Sequence, residues 1–170
     1  QLSGLRRLAH VFLPRRLREM ERLLPEIPRK FFRPHRGIAP ALGARRATVA
    51  LLDGCVMPIL FGDINGATVR VLRRSGCDVV FPQGQSCCGA LNVHNGETTA
   101  AKQMARRNID AFEAVSADAI IVNAAGCGAA LKEYGHLLRD DREYRERAER
   151  FSAKVKDAAE FLANLGLTGD

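Results

Sequence analysis

Three short apolar runs, separated by segments with helical periodicity, most constrain the fold of this chain. The runs read ATVALLDGC (47–55), CDVVFP (77–82) and ADAIIVNAAGCG (117–128). Helical spacing of apolar residues covers the segments 58–76, 96–115, 129–139, 141–150 and 152–165. Strands that alternate with helices form parallel sheets through right-handed crossovers. The pattern therefore predicts an α/β fold, a three-layer Rossmann-like domain with a short parallel sheet, whose last helix ends at Gly166.

The first 46 residues differ in charge from the rest of the chain. They carry 12 Lys/Arg and three Glu, a net charge of +9, whereas residues 47–170 carry 14 Lys/Arg and 16 Asp/Glu, a net charge of −2. Residues 5–24 have helical spacing that Pro14 interrupts, which predicts two short amphipathic helices. Residues 25–46 contain four prolines and predict an extended linker. We expect a basic helical and Pro-rich arm over 1–46 and a cysteine-rich domain over 47–170.

The arm has no recognisable helix-turn-helix or RNA-binding signature, so we expect no nucleic-acid partner. A solvated surface, or one that docks on an acidic partner or anionic lipid, is the expected use of its charge. No run approaches the ~18 consecutive apolar residues of a membrane helix, and the N-terminal residues do not read as a signal peptide. We therefore expect a cytoplasmic protein with reduced cysteines, in peripheral contact with the inner face of the membrane through the arm.

Four of the five cysteines lie where predicted strands end. Cys55 ends the first strand, Cys87 and Cys88 follow the second, and Cys127 ends the third. Ligands of parallel sheets bind beyond the carboxyl ends of the strands, so these four thiols should meet at one edge. Cys77 instead opens the second strand, and we expect it to be a small buried side chain at the opposite edge.

Each candidate cysteine has a glycine beside it. These glycines are Gly54, Gly89, Gly126 and Gly128. Glycine allows close approach of a bulky ligand, and each cysteine loop leads towards a helix N-terminus, where N–H groups favour the negative charge of thiolates. Four thiolates without histidine suit an iron–sulfur cluster or tetrahedral zinc. The residues alone leave three other readings open: a chance grouping of buried cysteines, a strained disulfide of Cys87 with Cys88, and a thiol–disulfide enzyme.

His94 lies just past the Cys-Cys-Gly turn. Two roles suit it: a hydrogen bond or proton transfer at the edge of a metal centre, or an ordinary surface histidine at a helix. We favour the surface role and keep His94, with the four glycines, as a candidate cofactor contact.

Five segments of the chain resemble a known cysteine-rich domain, the CCG domain. They are LLDGCVMP (51–58), CCGALNVHNGE (87–97), ARRNIDAFE (105–113), AAGCGAALKEYGHLL (124–138) and DAAEFLANLG (157–166). This domain occurs in heterodisulfide reductases, in anaerobic glycerol-3-phosphate dehydrogenases and in lactate utilisation proteins. The likeness is greatest to the iron–sulfur subunits of glycolate oxidase (glycolate dehydrogenase), and it covers nearly the whole chain.

The resemblance implies an electron-transfer subunit of an oxidoreductase complex. It implies that Cys55, Cys87, Cys88 and Cys127 bind a 4Fe-4S cluster, with zinc as the alternative. FAD-linked flavoprotein subunits would oxidise glycolate to glyoxylate and pass electrons through this subunit towards quinone or the respiratory chain. This chain would then contain no catalytic residue. The alternative function is a structural zinc-binding module that docks the flavoprotein in a related lactate or glycerol-3-phosphate dehydrogenase complex.

Two departures from the family pattern qualify these expectations. Ala130 stands where the heterodisulfide reductase motif has its last cysteine, so we expect no five-thiolate cluster. A four-cysteine cluster, a zinc ion and a cluster shared with another copy remain open. The 170 residues also contain neither the family's ferredoxin-like CxxCxxCxxxCP region nor a second CCG repeat, so we expect a middle segment made of the linker and the first repeat.

Overall fold

A five-stranded sheet lies at the centre of the molecule. The computed structural model describes residues 12–23, 28, 31–33 and 37–166. The strands are β1 (Ile38–Ala39), β2 (Ala47–Leu51), β3 (Cys77–Val80), β4 (Ala119–Val122) and β5 (Val155–Asp157). Their order is β1-β3-β2-β4-β5; all neighbours are parallel except β1, which is antiparallel to β3. The predicted α/β fold with a short parallel sheet is confirmed, and the sheet gains an additional strand at each edge.

Helices cover both faces of the sheet. The helices of the described residues are α1 (Arg15–Arg22), α2 (Met57–Leu60), α3 (Gly62–Arg74), α4 (Ala90–His94), α5 (Thr98–Glu113), α6 (Ala125–Lys132), α7 (Tyr134–Leu137), α8 (Arg145–Lys154) and α9 (Ala158–Leu165), and those from α2 onwards belong to the domain around the sheet. Successive side chains of a strand point to opposite faces. Val49 and Leu51 therefore pack in the core formed with α3 and α9, whereas Ala50 and Leu52 pack in the core formed with α5 to α8. The three layers are the sheet and the helices on each of its two faces, and the two cores lie between them.

The strand order opens a crevice between the ends of β2 and β4. From β2 the chain crosses to β3 through α2 and α3 on one face of the sheet, and from β3 it crosses to β4 through α4 and α5 on the other. The chain leaves β4 through α6 to α8 on that second face, so the connections that leave β2 and β4 diverge. Open α/β sheets bind ligands where neighbouring strands have connections that diverge in this way. The cysteine-bearing loops follow β2, β3 and β4 at this edge.

The predicted helix over 152–165 is wrong, because a strand divides it. Val155, only 1% exposed, pairs with Ile120 of β4 and completes the sheet. The Asp157 carboxylate accepts a hydrogen bond from the Ala159 N–H, and the Glu160 carboxylate accepts one from the Asp157 N–H. This capping box ends the strand and starts α9. The strand has only three residues, so the helical spacing of apolar residues continues through it. The prediction of one helix rested on that spacing.

Other predicted boundaries also move. The predicted third strand, 117–128, is wrong beyond Val122, so that Cys127 lies in the first turn of α6 and not at a strand end. The segments 58–76 and 129–139 each form two helices, and α8 begins later than predicted for 141–150. The helix predicted over 96–115 is confirmed as α5; Ala101, Ile109 and Phe112 are buried, and Met104 is half-buried. Gly166, at a φ of 77°, ends α9 as predicted.

The described part of the arm includes one helix and one strand. α1 follows Pro14 and confirms the second predicted helix, whereas the first lies outside the described residues apart from Phe12 and Leu13. β1 adds to the sheet two residues of the predicted linker, and the Phe32 N–H donates to the Pro58 carbonyl at 2.8 Å. The boundary between arm and domain at residue 46 stays a prediction. Among the described residues, no helix has the length and apolarity needed to span a membrane.

An exposed ion-pair cluster between α6 and α9 predicts acid sensitivity. The Glu160 carboxylate contacts Lys132 Nζ at 3.0 Å and Lys156 Nζ at 3.1 Å. Lys132, followed by Lys156, lowers the pKa of Glu160 from 4.5 to about 2. Since the pKa is lower in the folded state, the pair stabilises the fold above about pH 4.5, and this stabilisation is lost as the pH falls towards 2.

We expect the free energy of unfolding, measured in urea, to fall less steeply between pH 4.5 and 2 in Lys132→Gln than in the parent chain. Because the pair is exposed, the difference should be small and should shrink in high salt. Identical pH profiles of the two chains would show that Lys132 does not lower the pKa of Glu160.

Candidate metal centre

Four cysteine thiols, from the segments that follow β2, β3 and β4, meet beyond the carboxyl ends of these strands. The Cys55 and Cys87 sulfurs lie 3.4 Å apart, and those of Cys88 and Cys127 lie 3.3 Å apart. Cys55 is exposed, Cys87 and Cys127 are half-buried, and Cys88 is buried. The structure thus brings all four predicted residues together, as two close pairs, at the crevice of the sheet.

Local backbone conformation places two of these thiols beside free N–H groups. Gly54 and Gly89 have φ values of 74° and 79°, which turn the chain sharply next to Cys55 and Cys88. The Val56 N–H then donates to the Cys55 sulfur, and the Ala90 N–H donates to the Cys88 sulfur. Such hydrogen bonds stabilise the thiolate form that binds metals.

Replacement of Gly89 by alanine should destabilise the fold by about 1–2 kcal/mol, since a Cβ is strained at a positive φ. The new Cβ would also lie 3.4 Å from Ala101 Cα. Gly126→Ala is the matched control, because Gly126 is helical and a Cβ there meets nothing within 4 Å. We expect the control to leave the free energy of unfolding unchanged or to raise it by up to ~1 kcal/mol. Equal effects in urea titrations of the two variants would contradict this role of Gly89.

The paired thiols change one another's proton affinity. The hydrogen bond between Cys88 and Cys127, together with burial, raises the pKa of Cys88, and the same bond lowers the pKa of Cys127. Burial, followed by contact with Cys87, raises the pKa of Cys55. Cys55 and Cys88 therefore do not ionise readily as bare thiolates. A metal centre would compensate their negative charge, and its binding would release protons.

Side-chain amides join the loops that carry the thiols. The Asp53 N–H donates to Gln85 Oε1 at 3.0 Å, which links the loop after β2 to the loop after β3. Asn65, fully buried on α3, donates to the Asp53 carbonyl at 3.1 Å and accepts from Asn123 at 2.8 Å, which adds the loop after β4. These amides were missed from the sequence. A signal existed only for Asn123, which directly follows the apolar strand Ala119–Val122.

Of the other candidate residues, Gly128 has a packing role. A Cβ on Gly128 would lie 3.0 Å from a Val122 methyl carbon, so this glycine lets α6 pack closely on β4. Gly126 has open space around its Cα. Cys77 opens β3 and is 0% exposed in the core with α3, which confirms the predicted structural placement.

His94 is the last residue of α4 and is exposed. It lines, with Cys88, Ala130 and His136, a mainly apolar cavity of about 310 Å³. Within the described ranges, no hydrogen bond joins its imidazole to a cysteine thiol. The structure thus places His94 near the thiols but not in contact with them.

The donor set, four thiols without histidine, fits an iron–sulfur cluster by its chemistry. Zn–S bonds of about 2.3 Å in a tetrahedron would hold all four sulfurs about 3.8 Å from one another. Across the part of the chain that the structure describes, no three His, Cys, Asp or Glu side chains are arranged around one such ion. Thiols alone, with glycines beside them and backbone N–H groups directed at sulfur, are the ligands and surroundings that iron–sulfur clusters use.

Comparison with known proteins gives matches over most of the chain. Residues 49–132 match the family described as a cysteine-rich domain, CCG. The "probable glycolate oxidase iron-sulfur subunit" of Bacillus subtilis (strain 168) is 47% identical over 90% of this chain and 35% of its own length. The glycolate oxidase iron-sulfur subunit of Escherichia coli (strain K12) is 39% identical over 72% of this chain and 32% of its own length.

A third relative, lactate utilization protein A of Geobacillus thermodenitrificans (strain NG80-2), is 35% identical over 69% of this chain and 48% of its own length. The chain thus spans 32% to 48% of the length of these curated relatives. No solved structure matches it. The matched segment contains all four paired thiols, and the chain belongs, through residues 49–132, to the cysteine-rich (CCG) domain family.

Proposed function

We propose that Cys55, Cys87, Cys88 and Cys127 bind an iron–sulfur cluster and that the chain conducts electrons as part of the iron–sulfur subunit of a glycolate dehydrogenase complex. The observation that supports this most strongly is the convergence of the four thiols at the switch point of the sheet, in pairs 3.4 and 3.3 Å apart. The names of the two glycolate oxidase relatives supply the substrate class, and their identities of 47% and 39% exceed the 35% of the lactate utilization protein.

The exposure of the thiols suits electron transfer. A cluster supplies a one-electron carrier whose potential depends on hydrogen bonds to sulfur and on solvent exposure. Cys88 is only 5% exposed, which shields one side of the centre, whereas Cys55 is exposed and leaves a side through which electrons can enter or leave. We assign no catalytic residue to this chain. Oxidation of the 2-hydroxy acid is proposed for FAD in partner flavoprotein subunits, with quinone or the respiratory chain as the final acceptor.

The surface beside Cys55 is our proposed contact for the flavoprotein partner. Four apolar side chains on and around α2 are nearly half exposed there: Val56, Ile59, Phe61 and Ile64. Apolar side chains grouped on a surface commonly mark a protein interface. A partner bound at this position would lie next to the most exposed thiol, which shortens the distance that an electron must cross.

We also propose that the arm touches the inner face of the membrane, as part of a cytoplasmic assembly. In α1, the exposed arginines Arg15, Arg16 and Arg18 alternate with exposed Leu17 and Met20. Cations with interspersed apolar side chains attract anionic lipid and insert shallowly. Co-sedimentation with vesicles that contain 30% anionic lipid, at low and high salt, checks this contact; no difference from neutral vesicles would reject it.

The experiment that tests the proposed function is metal analysis of the full-length protein, purified without oxygen. We expect iron and acid-labile sulfide in the protein, a broad visible absorption, and an electron paramagnetic resonance signal that appears or disappears with dithionite. A colourless protein with one zinc ion per chain would reject the electron-transfer role and favour a structural docking module.

A further inference from the structure

Two buried side chains outside the cysteine loop hold its backbone. Asn108 of α5 is 0% exposed, and Tyr134 at the start of α7 is 1% exposed. Asn108 Oδ1 accepts from the Ser86 N–H at 2.7 Å, and Asn108 Nδ2 donates to the Cys87 carbonyl at 3.1 Å. The Tyr134 hydroxyl donates to the Cys88 carbonyl at 2.9 Å. Three consecutive residues of the loop are therefore held by two side chains.

The partners in this network determine which group donates and which accepts in each hydrogen bond. Asn108 Nδ2 also donates to the Tyr134 hydroxyl at 2.9 Å. The amide of Asn108 thus uses both its oxygen and its NH2 group, so its orientation is determined by its partners. The single hydroxyl proton of Tyr134 is directed at the Cys88 carbonyl, because its oxygen already accepts from Asn108.

Cys87 and Cys88 are neighbours in the chain, but their sulfurs pair with different cysteines, so the loop needs this restraint. The Cys87 sulfur lies against Cys55, whereas the Cys88 sulfur lies against Cys127. Rotation of the peptide between Cys87 and Cys88 would move both sulfurs at once. Asn108 binds the carbonyl of this peptide and Tyr134 binds the carbonyl of the next one, and together they restrict that rotation before any metal arrives.

We propose that Asn108 and Tyr134 are positioning residues for the cluster, which pre-organise the Cys87 and Cys88 thiols through their backbone carbonyls. This inference rests on the proposed function of the four cysteines. A loop that is already ordered loses less conformational entropy when it binds its ligand. Loss of a residue that orients a metal ligand without touching the metal typically lowers the metal affinity 10–100-fold.

Tyr134→Phe removes the hydroxyl and keeps the packing of the ring, so it tests the hydroxyl alone. The ring of Tyr134 stacks on Phe151 with centroids 5.3 Å apart, and phenylalanine retains this contact. Tyr144→Phe is the matched control. Its hydroxyl donates to the Asp110 carboxylate at 3.0 Å, and its ring packs on the same core, away from the cysteine loop.

The test compares full-length parent, Tyr134→Phe, Asn108→Ala and Tyr144→Phe proteins, reconstituted anaerobically with ferrous iron and sulfide. The measurements are the rate of iron loss to a chelator, the electron paramagnetic resonance spectrum, the reduction potential and the urea unfolding of the iron-free chains. We expect Tyr134→Phe to lose iron about tenfold faster, with an altered spectrum and potential, and Tyr144→Phe to match the parent.

Parent-like iron loss, spectrum and potential in Tyr134→Phe would overturn the inference and leave the proposed function intact. A parent protein that binds no iron would instead overturn the proposed function itself, and the inference with it. If Asn108→Ala does not fold, Tyr134→Phe alone decides, since it removes one hydroxyl and no ring contact.

Discussion

Replacement of Cys55 by serine should weaken iron binding at least about tenfold while the chain stays folded. A ligand contacts the metal directly, so its loss should cost no less than the 10–100-fold that is typical of residues that only orient ligands. Cys55 is exposed, and its removal leaves both cores intact. Iron per chain after desalting, measured beside a far-ultraviolet circular dichroism spectrum, checks both parts of the expectation.

Cys77→Ala is the matched control for this variant. Cys77 is 0% exposed and packs in the core with α3, at the start of β3. We expect it to retain the parent's iron content and to lose a modest amount of stability, because only a small buried side chain is shortened. Iron loss in Cys77→Ala equal to that in Cys55→Ser would show that the iron content follows folding and not ligation.

Replacement of Leu51 by alanine should lower the free energy of unfolding by about 2–5 kcal/mol. Leu51 is 0% exposed and ends β2, where its side chain packs in the core with α3 and α9. A loss of this size is a large part of the roughly 5–15 kcal/mol by which domains are stable. Equilibrium unfolding in urea, fitted with a common slope, measures it.

Leu91→Ala provides the comparison, because Leu91 on α4 is 66% exposed. A surface substitution of this kind should change the free energy of unfolding by less than about 0.5 kcal/mol. Similar losses in Leu51→Ala and Leu91→Ala would contradict the assignment of Leu51 to the core.

The fold was predictable wherever a local pattern was long enough. α5 has 16 residues and α3 has 13, so their periodicity repeats over several turns and indicates helix without ambiguity. β5 has three residues and β1 has two, and both were missed. Their strand conformation comes from pairing with β4 and β3 and not from their own sequence. The Asp157–Glu160 capping box was the local signal that could have located the start of α9.

The thiol cluster was predictable in outline for a related reason. Parallel strands end at one edge, so cysteines that follow them belong to the same edge, and they meet here because β3, β2 and β4 are neighbours in the sheet. Cys127 reached this edge by a different route from the one predicted, because β4 ends at Val122 and α6 begins before the cysteine. The prediction survived this error, since the first turn of a helix that follows a strand lies at the same edge.

The sequence by itself determined the alternation of strands and helices, the concentration of positive charge in residues 1–46, and the four cysteines that belong to one edge, because these depend on residue types and short-range spacing. Tertiary structure decided which thiols pair and what holds them. Cys55 and Cys87 are 32 residues apart, and Tyr134 and Cys88 are 46 apart. Contacts over such separations depend on strand order and helix packing, and no local pattern encodes them.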